Sequence, residues 1–166
     1  ERTRKYVSGP QIVRLSRALL KGMELRETAK PYLQELVDQT GECAHLAILA
    51  KGEALYIDQA ESPSALRVTT GVGTLGPLHC TALGKVLLAY TDYPISDKLE
   101  SYTFRTITDP SALQLHIEQI KNQGYAMDDE EYNPGVRCIA VPVLDYRDRC
   151  IAAIGISGPT SRLPLE

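Results

Sequence analysis

Four consecutive acids, Asp128-Asp129-Glu130-Glu131, stand just ahead of the turn pair Pro134-Gly135, and Cys138 then opens an apolar run, Ile139-Ala-Val-Pro-Val143. With His45, His79 or His116, Cys138 and Asp128 could form a Cys-His-acid nucleophile. That chemistry needs a histidine within hydrogen-bond reach and an electropositive setting to lower the thiol pKa. The acids act in the opposite direction, and Arg137, adjacent in a strand, points to the other face. Asp128, Cys138 and His79 offer oxygen, sulfur and nitrogen to a zinc ion, without the short ligand spacing of a strong zinc motif. The acid run also lacks the alternating oxygen ligands and central glycine of a calcium loop. It reads as a solvated turn with one or two of its acids facing inward, and no cofactor is expected. Gly71-Val-Gly-Thr-Leu-Gly-Pro-Leu-His79 lacks the Lys-Ser or Lys-Thr end of a phosphate loop, so its glycines serve tight turns or the close approach of backbone to a ligand.

The elements that would position these residues follow from periodicity and caps. A first helix starts at Pro10 and stops at Gly22, and a second covers Glu24 to Thr40 with Gly41 as its stop; Pro31 bends it or marks a later start. Alternation then switches to period 2. His45–Ala50 and Ala54–Asp58 form a hairpin around Lys51-Gly52-Glu53, and Leu66–Thr70 is a third strand. Thr81 caps a short helix through Tyr90, and Asp109-Pro110 opens a longer one ending near Gly124. Strands follow at Tyr125–Asp128, Ile139–Leu144 and Cys150–Ser157. Hairpins bracketed by helices without strict βαβ alternation predict an α+β fold, a central mainly antiparallel sheet flanked by helices.

If Asp145–Asp148 is the last loop, Ile139 pairs with Ile154, Val141 with Ala152 and Val143 with Cys150, giving one apolar face. Cys138 then lies across from Gly155 and Ala140 across from Ala153, with Ser157 one step on. A one-residue slip would mix the two faces. The small face leaves room for a bound molecule or for a closely packed helix, and the strands alone do not choose.

At 166 residues and 43% apolar content the chain fits one domain, and no window approaches a membrane span. A cytoplasmic protein with reduced core cysteines is expected. A net charge of −3 argues against a nucleic-acid surface within the chain. Residues 1–30, however, carry eight Lys or Arg against three acids, while residues 91–131 carry nine acids against three bases. The basic start reads either as one solvated face or as the continuation of an upstream DNA-contacting part.

The stretch Gly124-Tyr-Ala-Met-Asp128-Asp-Glu-Glu131, then Gly135-Val-Arg-Cys138-Ile-Ala140, Pro142 and Asp145, resembles the signature of the IclR family of transcription regulators. Leu78-His79-Cys-Thr81-Ala-Leu-Gly84-Lys85 and Ile154-Gly-Ile-Ser157-Gly-Pro159 resemble the family's helix start and terminal strand, and Tyr6-Val-Ser-Gly-Pro10 resembles the segment after its DNA-binding domain. The resemblance implies a GAF-like effector-binding domain over residues 23–166, with residues 1–22 a linker helix from an absent winged helix-turn-helix through which alone DNA is met. It further implies no catalysis, a dimer or tetramer, and a small organic acid of the hydroxy- or keto-acid class as effector. Carried across, the ligand-binding residues are Thr81, Ala82, Leu83, Asp128, Cys138, Gly155, Ile156 and Ser157, with Val68, Leu75 and Val136 as apolar wall. Gly155 and Leu83 depart from relatives that place serine and alanine there. A thiol enzyme of the same fold using Cys138, a metal-binding sensor, and an interaction module with its small face covered are the competing readings.

Overall fold

The computed structural model describes residues 9, 11, 12, 14–16 and 22–165. The expected first helix and the 1–22 linker fall largely outside these residues. Helix α1 (Glu24–Thr40) buries Ala29, Leu33 and Val37, four residues apart, and ends where Gly41 adopts φ 72° and its N–H reaches the Val37 carbonyl at 2.8 Å. Pro31 lies inside the helix on its exposed side and marks no new start. Strands β1 (Cys43–Ala50) and β2 (Glu53–Ala60) form the predicted hairpin, turned by Lys51 and Gly52, both at positive φ.

The expected third strand at Leu66–Thr70 does not form. Leu66 is 68% exposed, and Arg67 pairs with Glu61 at 3.2 Å. The edge of β2 is taken instead by the chain at 73–76: Gly73 donates to the Tyr56 carbonyl, Thr74 accepts from the Tyr56 N–H, and β3 (Leu75–Gly76) pairs with Ala54 and Leu55. Before that, Ser62 is held to the Gly41 carbonyl and to Cys43 Sγ, which draws 62–70 off the sheet edge.

Helix α2 (Ala82–Tyr90) begins at Thr81, whose Oγ1 accepts from the Gly84 N–H at 3.1 Å and donates to the Pro77 carbonyl at 2.7 Å. Helix α3 (Pro110–Gln123) is capped by Asp109 and closed by Gly124 at φ 85°. Strands β4 (Ala126–Asp129), β5 (Val136–Leu144) and β6 (Cys150–Pro159) complete a six-stranded antiparallel sheet in the order β3-β2-β1-β6-β5-β4. Helix α1 packs on one face with Ala44, Leu46, Ile57 and Ala152; α2 and α3 pack on the other with Ala47, Tyr56, Ala126, Ala140 and Ala153. This is the α+β architecture the alternation predicted.

The last hairpin corrects the expected register by two residues: Cys138 lies opposite Ser157, Ala140 opposite Gly155 and Val141 opposite Ile154. Asp145 is the cause. Its Oδ1 accepts from the Arg147 and Arg149 amides at 2.8 and 3.0 Å and its own N–H donates to the Arg149 carbonyl, so the loop extends to Arg149 and Leu144 faces Cys150. That longer loop alone would exchange the two faces. Ile151, 42% exposed, is then bulged out between Cys150 and Ala152, and the second displaced residue restores them. Both uses of the small face also occur. Helix α2 covers its Ala126, Ala140 and Ala153, while its Asp128, Cys138 and Ser157 end borders an open space.

Candidate functional site

Asp128 on β4, Cys138 on β5 and Ser157 on β6 pair in one row across the sheet, and that row is the floor of a cavity holding about 540 Å³ of non-atom space, its mouth included. The start of α2 forms one wall with Thr81, Ala82 and Leu83. The segment that left the sheet edge forms another, with Val68, Thr70 and Thr74–Gly76, and Tyr132, Asn133 and Val136 close the side above β5. Of the eight residues singled out above, Thr81, Ala82, Leu83, Asp128, Cys138, Ile156 and Ser157 line this space, as do Val68, Leu75 and Val136. Gly155 does not. A Cβ there would stand 2.2 Å from the Ile139 carbonyl oxygen and 2.8 Å from Ala140 Cβ, so its role is close strand packing.

At the wall, Gly84 N–H is taken by the Thr81 side chain and Lys85 N–H by the Thr81 carbonyl at 2.9 Å, which leaves the first-turn amides of Ala82 and Leu83 without helical partners at the positive end of the helix dipole. Gly84 is required there: a Cβ would lie 2.6 Å from the Pro77 carbonyl oxygen and the Leu78 Cα. At the floor, Asp128 Oδ1 accepts from the Glu131 and Tyr132 amides at 2.8 and 3.3 Å, folding the acid run back over the sheet with Glu130 at φ 61°. Burial raises the Asp128 carboxyl to about 7, the Glu131 amide pulling it down and the Glu131 charge pushing it further up.

Two of the four acids face inward, Asp128 and Glu131, whereas Asp129 binds the exposed Arg105 and the buried Arg137. Glu131 forms an ion pair with Lys85, a lysine with no exposed surface, and thereby ties α2 to the 128–132 turn. Burial pushes the Glu131 carboxyl up although Lys85 pulls it down. Sequence reasoning had quoted Lys85 only as part of a motif. A single cation in the otherwise apolar run Val86-Leu-Leu-Ala89 and Ala82-Leu-Gly84 was the available signal. Tyr56 and Tyr132 were also missed, since only the folded chain brings them to the cavity.

The thiol reading loses its chemistry here. Burial, then the charge of Asp128, pushes the Cys138 thiol up to about 12, and no histidine lines the cavity. His79 Nε2 is bonded to the Glu100 carbonyl at 2.8 Å, and His116 lies on α3, its pKa lowered to about 4 by burial. Among the described residues no group of three or more His, Cys, Asp or Glu could hold a metal ion. None of their helices is long and apolar enough to cross a membrane.

Residues 17–166 match the family model described as the bacterial transcriptional regulator IclR C-terminal. The chain belongs to the IclR family. This IclR domain is 39% identical over 168 residues to the HTH-type transcriptional regulator BhcR of Paracoccus denitrificans, covering 97% of the chain and 60% of that protein. The curated relatives it matches are thus longer proteins, of which it spans 60% of BhcR and 66% of the Escherichia coli regulator XynR. Its fold superposes on the crystal structure of Thermotoga maritima IclR with a TM-score of 0.83 at 29% identity, covering 97% of the chain and 68% of that structure. An IclR homolog from Microbacterium hydrocarbonoxydans, solved in complex with 4-hydroxybenzoate, gives 0.80 at 26% identity over 88% of the chain and 64% of its own. The domain thus matches the C-terminal part of longer proteins that are themselves transcription regulators.

Proposed function

We propose that the cavity is the effector site of an IclR-type regulator, that its ligand is a small hydroxy- or keto-acid, and that binding biases a dimer or tetramer whose geometry is read by a winged helix-turn-helix outside this chain, in the cytoplasm. The observation that carries the reading is the convergence of the α2 start with Ser157 and Asp128 on one enclosed space. The unpartnered amides of Ala82 and Leu83 suit a carboxylate, Ser157 donates to the same group, and Asp128, its pKa raised to about 7, donates to it when protonated. The 4-hydroxybenzoate complex of the Microbacterium homolog agrees with an acid effector.

An acid occupying the site at 100 times its dissociation constant stabilises the domain by about 2.7 kcal/mol, a rise of a few degrees in melting temperature. Ser157→Ala and Asp128→Asn each keep the unliganded melting temperature within about a degree and weaken that rise. A panel of glycolate, pyruvate, 4-hydroxybutyrate and 4-hydroxybenzoate that leaves the melting curve unmoved sinks the acid-effector reading, and unchanged affinity in both variants places the site elsewhere.

A further inference from the structure

His45 has no exposed surface, and neither of its ring nitrogens has a hydrogen-bond partner among the described residues. Burial lowers its pKa to about 4, so the ring is neutral at physiological pH and presents one N–H donor and one bare acceptor. Leaving each unmet in the interior costs about 1–3 kcal/mol. The residue directly across β1–β2 is Gln59, whose Oε1 is likewise buried and unpaired. Two neighbouring side chains therefore leave three orphan polar atoms, one donor and two acceptors.

Their place in the fold gives these atoms a use. The row Cys43-Ser157-Cys138-Asp128 crosses β1, β6, β5 and β4, and the next row on the same face is Gln59-His45-Gly155-Ala140-Ala126. His45 thus stands one strand position beyond the cavity floor. What separates it from the open space is Tyr56, which lines the cavity and meets the imidazole edge-on with ring centroids 5.8 Å apart. The phenol ring fills the gap between Gly76 and the imidazole: a Cβ on Gly76 would stand 3.1 Å from the Tyr56 ring. Tyr56 thus both lines the cavity and meets the His45 ring.

We propose that His45 and Gln59 are the distal polar end of the effector site, behind Tyr56, and that they select an acid carrying a hydroxyl remote from its carboxylate. A hydroxyl serves both sides of this set with a single atom: it accepts from the imidazole N–H and donates to the Gln59 carbonyl. A keto oxygen leaves both acceptors bare. A second carboxylate is repelled by them, and an ammonium loses its hydration in a pocket with no counter-charge. The inference rests on the acid-effector reading above and narrows it to one subclass.

Calorimetry with the pairs 4-hydroxybenzoate and benzoate, and 4-hydroxybutyrate and butyrate, tests both readings separately. In the wild-type domain the hydroxy acid of at least one pair binds about tenfold or more tightly than its parent, as a site built to hydrogen-bond a hydroxyl discriminates. In His45→Phe, which keeps an aromatic volume and removes both nitrogens, that ratio collapses to about twofold or less. A ratio that survives His45→Phe overturns the assignment while leaving the acid site standing, and absence of binding by any of the four acids overturns both. Should His45→Phe fail to fold, the wild-type domain still decides through the imidazole ¹⁵N resonances of His45. They move with the hydroxy acid and stay still with its parent; resonances still in both cases overturn the proposal.

Discussion

Asp128 is the residue whose ionisation the site depends on. An anionic ligand and an ionised Asp128 repel one another in a poorly solvated space, and burial has already moved this carboxyl to about 7. Acid binding therefore takes up a proton above that pH. The affinity of a fully ionised acid holds steady below about pH 6 and weakens up to about tenfold per pH unit above 7, and in Asp128→Asn the profile is flat from 6 to 8, as titration calorimetry in buffers of different pH will read. Cys138 remains a thiol throughout, and Glu131 faces Lys85 rather than the ligand, so neither offers a second step in that range. Cys138 and Ser157 were legible in the sequence because strand alternation puts them on one face, and Asp128 through the family resemblance. Lys85, Tyr56 and the orphaned state of His45 were not, because burial of a polar side chain is decided by what packs over it from distant parts of the chain.

Caps and turns made most elements readable. Gly41, Thr81, Asp109-Pro110 and Gly124 each mark a helix end where the backbone groups need a partner or a left-handed residue, and each one does so in the fold. Leu66–Thr70 misled because Val68, Thr69 and Thr70 have the residue types of a strand, whereas the choice between them and Thr74–Gly76 for the β2 edge is a competition in space that local preference does not settle. Gly155 is the sharper case. Read along the strand, it is a place where a serine would add a carboxylate ligand; read in the sheet, it is the contact that lets β5 approach β6. Gly155→Ser then costs about 1–3 kcal/mol in chemical denaturation through overpacking and does not tighten acid binding. A variant of wild-type stability with improved affinity would restore the serine to the pocket.

The sheet divides the described residues into two cores, with α1 on one side and the cavity, α2 and α3 on the other. Which core each β6 residue joins is set at one hairpin, by the Asp145 loop and the bulge at Ile151 together. Deleting Ile151, which has no partner on β5, leaves Ala152 opposite Val143 and Ser157 opposite Cys138, whereas deleting Ile154 moves Ser157 opposite Ile139 and so toward α1. Far-ultraviolet circular dichroism and thermal melting will show a cooperative melt for the Ile151 deletion and an unfolded chain for the Ile154 deletion. In terms of descent, the loop and the bulge are the tolerant points of this hairpin and the strand beyond them is parity-locked: between Ala152 and Ser157, where every residue is paired, lineages gain or lose residues only in even numbers.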